Sequence, residues 1–262
     1  MKLKIKNIEN FTFDEASHTY ELGGKLLTGV TTVLNVRAKD FLKWWTVKLM
    51  YETLLPKLAD VQGIRYEVWE TILNEAKKAH TVKSKEALMS GRIAHDMIEK
   101  YIKETIRGEE SFVLNTSKIE DEKVRSSVCA FMDWESKNKV EWLASELKLP
   151  SLKNMFAGTI DAVARINGVL TVVDFKTSNQ MSEDYNLQTA AYYMLLDENL
   201  EAGEERPVKR LILRIPKDGS GFETKVVDTP LGFDSETFLH CREIHRWNLL
   251  VERLKNETVN KN

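Results

Sequence analysis

Three side chains in one short run have the types and spacing for chemistry on a charged substrate. They are Asp161, Asp174 and Lys176, within GTIDAVARINGVLTVVDFKTS, residues 158–178. The residues on either side of Asn167-Gly168 read as two strands, alternating and rich in β-branched types, and Asn-Gly is the dipeptide that most favours a two-residue type I′ hairpin turn. Counting outward from that turn, Ile166 opposes Val169 and Asp161 opposes Asp174. Alternation from the turn makes the acidic pair the non-hydrogen-bonded kind, with Cα atoms roughly 4.5 Å apart. Like charges placed opposite each other destabilise a sheet, and taking carboxylates out of water costs more unless something neutralises them. Asp174 and Lys176 are two apart and leave the same face, while Phe175 between them points into the core. One ammonium does not balance two carboxylates. The hard oxygen donors that remain suit a divalent cation such as Mg²⁺ or Mn²⁺.

Asp161 followed by Asp174-Phe175-Lys176 resembles the signature of the PD-(D/E)XK nucleases in its Asp-x-Lys form. The wider pattern, Gly158-Thr159-Ile160-Asp161 and then Asp174-Phe175-Lys176-Thr177-Ser178, resembles the RecB-like branch, which includes phage exonucleases and the mitochondrial genome maintenance exonuclease. Two more segments extend the likeness. Gly91-Arg92-x-x-His95-x-x-Ile98-Glu99 resembles the helical motif that supplies a histidine ligand to the metal, and Gln188 with Tyr192 resembles the Gln-x-x-x-Tyr motif of RecB-like members. The resemblance implies a metal held by His95, Asp161, Asp174 and the main-chain carbonyl of Phe175. It implies that Lys176 orients the attacking water or stabilises the phosphorane, that Gln188 hydrogen-bonds near Lys176 or the scissile strand, and that Tyr192 steadies that shell or the DNA. Glu146, in an apolar neighbourhood, corresponds roughly to the family's upstream acidic residue; metal ligand, water-orienting group and plain edge residue all remain open for it. The substrate implied is DNA with a free end, in phage or bacterial recombination, repair or replication, with a recombination or replication protein as a further partner.

The elements that must position these residues follow from periodicity. Residues 11–34 read as a hairpin, with alternation at Phe11/Phe13 and Tyr20/Leu22 and a turn at Gly23-Gly24, followed by a short strand or turn entering a helix. A helix is expected from Lys39 to Leu58, with Pro56 marking its end, a second over 64–80 and a third over 84–107. On the third, His95 shares a stripe with Leu88, Gly91, Ile98, Glu99 and Ile102. A lone inward histidine is more often a hydrogen-bonded core residue; the resemblance makes it a ligand. Gly91 weakens the helix one turn earlier, as if something must approach closely there. A helix over 117–139, with Val124, Val128, Phe131 and Trp134 on one side, precedes a first core strand over 141–149. Past the hairpin, Ser182 can cap a helix bearing Glu183 and Asp184 in its first turn. Gln188 and Tyr192, four apart on it, share a face. A second hairpin over 209–228 and a long helix over 235–256 complete the order. The resulting fold class is α/β: a restriction-endonuclease-like mixed central sheet flanked by helices. It forms one domain, with residues 1–83 as amino-terminal hairpin and helical extension and 84–262 as catalytic core and carboxy-terminal helix.

Other candidates carry less chemistry. Trp44 and Trp45 are expected in the core rather than stacked on unpaired bases. Lys77, Lys78, Lys83 and Lys85 fit phosphate contacts or a solvated helix surface equally. Arg210 and Arg214 are candidates for phosphate contact, while His18, His240 and His245 read as structural or exposed. Cys129 and Cys241 read as buried small hydrophobes, and two cysteines cannot build a four-cysteine iron–sulfur cluster within one chain. A net charge of −2 supplies no global field for nucleic acid, so binding must rely on local patches and on metal. The amino end lacks a signal-peptide core and no apolar run is long enough to span a membrane, so an intracellular location with no membrane partner is the default. Oligomeric state is left open. Three readings compete with the metal-dependent exonuclease: a site- or structure-specific endonuclease, a catalytically inactive nucleic-acid-binding module on the same scaffold, and an unrelated metal-dependent phosphohydrolase. The Gln188/Tyr192 helix leans away from the first. The intact set of His95, Asp161, Asp174, Lys176 and Gln188 argues against the second.

Overall fold

The computed structural model describes residues 3–37, 40–58, 66–108 and 114–259. Its organising strand is β5 (Phe156–Ile166), which turns tightly into β6 (Val169–Lys176). Asn167 and Gly168 both have positive φ, 51° and 84°, as a type I′ turn requires. Asn167 also exchanges its main-chain N–H and side-chain oxygen with the Lys139 backbone, fixing the turn to the start of β4 (Val140–Ser151). The register runs from Ile166↔Val169 to Ala162↔Val173, the one expected from the turn.

Around this hairpin the described strands form one mixed sheet of eight. An antiparallel meander of β1 (Phe11–Asp14), β2 (Thr19–Leu22) and β3 (Lys25–Gly29) turns between the last two at Gly23-Gly24, both at positive φ. β3 joins the sheet parallel to β5 through Thr28↔Phe156 and Gly29↔Ala157. β4 runs antiparallel along the other edge of β5, β7 (Lys209–Arg214) lies parallel to β6, and β8 (Glu223–Val226) closes that side antiparallel to β7. β3 and β6 therefore occupy the same edge of β5 at opposite ends. Among the described residues, 158–161, between them, have a strand neighbour only on the β4 side.

Alternation sends the two faces of the sheet into separate cores. On one, Ile98 and Ile102 of α3 (Tyr66–Arg107) and Val128, Phe131 and Trp134 of α4 (Glu122–Ser136) pack on Trp142 and Phe175. Glu135 of α4 ties that side together, accepting from the Tyr101 hydroxyl at 2.7 Å and the Trp142 indole N–H at 2.6 Å. On the other, α1 (Val30–Leu34), α5 (Asp184–Asn199) and α6 (Leu231–Val259) cover Phe156, Val163, Leu170 and Val172. This is the expected mixed sheet flanked by helices, with amino-terminal strands added.

Two compact units are present: Met1–Arg37 with Ala94–Asn262, and Ala38–Ile93. The second contains α2 (Asp40–Leu58) and the amino-terminal part of α3, with Lys57 and Glu75 ion-paired. Four expectations need correction. The helices expected over 64–80 and 84–107 are one helix, because Thr81-Val82-Lys83 contains no proline or glycine to stop it; residues 64 and 65, like Lys39, lie outside the described residues. The stripe shared by His95 is buried at Ile98 and Ile102, but Leu88 is 72% exposed. Trp44 is 77% exposed rather than core, since the apolar residues of α2 are spread round the whole helix and no single neighbour covers them all. Cys129 is exposed on α4, and only Cys241 is buried.

Gly158 sits where α1 and α5 press on β5. A Cβ there would lie 2.9 Å from Val30 Cγ2, 3.0 Å from Leu195 Cδ1 and 3.2 Å from Tyr192 Cε1. Gly158→Ala is expected to lower stability by about 1–3 kcal/mol through overpacking, read from the urea midpoint.

Candidate active site

The notch between β3 and β6 is where the carboxylates gather. The β5–β6 ladder ends at Ala162↔Val173, one step short of Asp161 and Asp174. Beyond it Asp161 uses its side chain in place of a strand carbonyl: Oδ2 accepts the Phe175 amide N–H at 2.7 Å. On the opposite edge, Ser145↔Ala162 and Leu147↔Ile160 bracket Glu146, which places it across from Asp161. That alignment depends on a one-residue register shift between Trp142 and Ala144. Without it Glu146 would lie one position off and present its side chain to the other face. Glu146 is held at φ 50°, an uncommon backbone state that costs a non-glycine residue about 1–3 kcal/mol. Three strands thus carry one acid each in a row: Glu146, Asp161, Asp174.

The electrostatics of the row follow from its burial. Asp174 is fully buried; Oδ1 accepts from Lys176 Nζ at 2.8 Å, and Oδ2 has no hydrogen-bond partner among the described residues. Burial raises its pKa to about 6, opposed by Lys176 and reinforced by Asp161. Burial likewise raises Asp161, against the pull of Lys176 and of the Phe175 N–H. Glu146 is pushed up to about 8 by burial and by the charges of Asp161 and Glu99. Burial alone would lower the Lys176 ammonium, yet Asp174 and Asp161 overcome it and the net shift is upward, so the side chain stays protonated. Its Nζ also lies 4.9 Å from the centre of the Tyr185 ring, a cation–π contact.

Gln188 and Tyr192 are brought to the same place. Both are buried on α5, and the Gln188 amide donates to the Tyr192 hydroxyl at 2.8 Å. Burial and the charges of Asp161 and Asp174 hold the phenol well above its ordinary pKa, so it remains a neutral donor. His95 approaches from the other face. Its ring meets the Phe175 ring edge-on at 6.2 Å, and burial together with the Lys176 charge lowers its pKa to about 4, against a smaller opposing effect of Asp174. The imidazole is therefore neutral, the form that can ligate a metal.

The donor set fits a hard divalent cation: buried carboxylates with raised pKa, an acceptor oxygen left without a partner, and a neutral imidazole nearby. Among the described residues, no three His, Cys, Asp or Glu side chains converge on one point as they stand. Asp161 Oδ2 is engaged by the Phe175 amide and Asp174 Oδ1 by Lys176.

Arg210 is not a phosphate contact. It is buried, donating to Asp234 Oδ2 at 2.8 Å and to the Thr229 and Asn186 carbonyls. Arg214 is occupied by Glu223 and the Asn179 carbonyl. Lys77, Lys78, Lys83 and Lys85 are exposed. Sequence reasoning missed Tyr185 beneath Lys176 and the Tyr20 hydroxyl, which bonds Thr159 Oγ1 at 2.8 Å. An aromatic in the first turn of the helix after the Asp-x-Lys strand was a usable signal for Tyr185; Tyr20 lies too far away in sequence to leave one. A cavity of about 500 Å³ opens from this place, with Glu146, Asp161, Gln188 and Tyr192 on its inner wall.

The family model of the PD-(D/E)XK nuclease superfamily matches residues 70–260, more than half of the chain, and the chain belongs to that superfamily. No curated protein matches. Among solved structures, SSO0001 aligns at 18% identity over 58% of this chain and 86% of its own, with a TM-score of 0.30. Among the described residues, no helix is long and apolar enough to cross a membrane.

A carboxyl with a raised folded-state pKa favours the protonated folded form. The stability associated with neutral Glu146 is thus present below its ordinary value of 4.5 and lost as pH rises towards about 8. In metal-free protein, Glu146→Gln is expected to raise Tm at pH 8 relative to the unsubstituted chain and to change it little at pH 4. Thermal melts in chelator across that range check this.

Proposed function

We propose that this superfamily member is a Mg²⁺- or Mn²⁺-dependent DNA exonuclease of the RecB-like branch, acting on DNA with a free end in recombination, repair or replication. The observation that carries the reading is the partnerless, buried Oδ2 of Asp174 beside Asp161 and a protonated Lys176. An uncompensated buried carboxylate oxygen is destabilising by itself, and a cation is what makes the site tolerable. Asp161 and Asp174, with His95 and the main-chain carbonyl of Phe175, would hold the ion, which supplies Lewis-acid activation of water and offsets charge on the phosphate. Lys176 keeps its proton and places it where negative charge grows on the phosphate during attack. Tyr185 and Asp174 hold that ammonium in place from two sides. Glu146, neutral or charged near pH 7 according to what lies beside it, orients water opposite Asp161. The Gln188–Tyr192 hydrogen bond supports the RecB-like and exonucleolytic reading, because it presents a fixed neutral donor pair beside the acids rather than a base-reading loop.

The test uses end-labelled single-stranded and double-stranded linear DNA and a closed circle, with Mg²⁺, Mn²⁺ or chelator. Metal-dependent loss from the ends of linear DNA is expected, with the circle resistant. Asp174→Ala and Lys176→Ala should each reduce cleavage by at least about 100-fold while circular dichroism stays unchanged. Undiminished metal-dependent cleavage by both variants overturns the assignment of these residues. Cleavage of the circle replaces the exonuclease with an endonuclease, and binding without cleavage of any substrate leaves only the inactive module.

A further inference from the structure

The cavity beside the acidic row has a second set of walls that the chemistry above does not use. One part of its lining is the amino-terminal meander, contributing His18, Tyr20 and Leu26; another is α6, contributing His245 and Leu249. Both walls carry apolar surface into solvent at the mouth, with Leu26 72% and Leu249 50% exposed. His18 is exposed but not loosely held. Its backbone lies at φ 52°, and its ring packs edge-on against Phe13 at 5.1 Å and Tyr20 at 6.0 Å. The meander is itself anchored to the inner wall by the Tyr20–Thr159 hydrogen bond. A flat ring held by its neighbours, exposed apolar side chains and the acids of the candidate metal site all line the one cavity, so surroundings suited to a base adjoin the place where a metal would meet phosphate.

We infer that this cavity seats the terminal, unpaired nucleotide of a DNA strand, its base held between His18 and Leu26 of the meander and His245 and Leu249 of α6. The inference rests on the nuclease reading and adds the feature that selects the substrate. About 500 Å³ lies in the range that encloses a ligand the size of one nucleotide. Every base has a face that stacks on imidazole or aliphatic surface, so the seat is indifferent to sequence. A paired terminal base must first be unpaired and unstacked before its face can be held so, and a frayed or single-stranded end is therefore preferred over a blunt duplex.

The experiment compares single-stranded oligonucleotides that end in ordinary nucleotides with the same oligonucleotides abasic at both ends, and with blunt duplex. Binding is read by fluorescence anisotropy in Ca²⁺ and cleavage in Mn²⁺. The unsubstituted chain is expected to bind the ordinary single strand about tenfold more tightly than the abasic one. His18→Asn, which tolerates the same backbone, and the exposed-position pair Leu26→Ser with Leu249→Ala should each reduce that preference to about twofold or less. Equal binding of ordinary and abasic ends, or an undiminished preference in correctly folded variants, overturns the inference. If His18→Asn melts early, the Leu26/Leu249 pair decides alone. Discrimination without any Mn²⁺-dependent cleavage keeps the seat and removes the nuclease reading; cleavage without discrimination does the reverse.

Discussion

Everything at the centre of this protein depends on one strand losing its neighbour. From Ala162 to Ile166, β5 is fully paired; from Gly158 to Asp161 it has β4 on one side and no strand on the other. Backbone groups at such a gap must find other partners or remain unsatisfied. Asp161 meets that need for the Phe175 amide with its own carboxylate, so the residue that terminates the ladder is also an acid facing Asp174. The two acids stay neighbours by register at the place where the ladder's hydrogen bonds end. Structural irregularity and chemical potential have the same origin here.

What surrounds the gap explains why the irregularity is stable. The two cores on either face are dense: Phe131, Trp134, Trp142 and Phe175 interlock on one, Leu195, Leu196, Phe156 and Phe238 on the other. Rigid packing on both sides lets a few polar residues remain in unfavourable states. Glu146 keeps a left-handed backbone and a raised pKa, and Asp174 keeps an oxygen without a partner. Such sites persist only when their surroundings over-determine them. Lys176 reduces the tension at Asp161 and Asp174 but does not remove it, since burial still holds both carboxyl groups above their ordinary pKa.

The parts legible in the sequence were those set by local rules. Asn167-Gly168 specified the turn, the turn specified the register, and alternation put Asp174 and Lys176 on one face with Phe175 on the other. Helical spacing likewise paired Gln188 with Tyr192. The illegible parts were set by distant partners. Glu146 reaches the row only through a bulge near Leu143 that no composition signals. Arg210 looked available for a ligand because its partners, Asp234 and Thr229, arrive from a different element. The continuity of α3 was misjudged for a milder reason: a weak hydrophobic pattern near residue 81 resembles a break, although nothing there opposes a helix. Trp44 and Cys129 were placed inside on residue type alone.

The attachment of β3 has a consequence for how the molecule is assembled. β4, β5 and β6 are consecutive and join through short connections, so they can pair as soon as that stretch of chain collapses. β3 meets β5 only at Thr28 and Gly29, across more than a hundred intervening residues. Contacts of that sequence separation form slowly, and only when they form can the Tyr20–Thr159 hydrogen bond and the burial of Tyr20 and Leu27 against Ala157 secure the meander. The amino-terminal meander is thus the last part of the sheet to be joined, and its docking on β5 completes the lining around the acidic row.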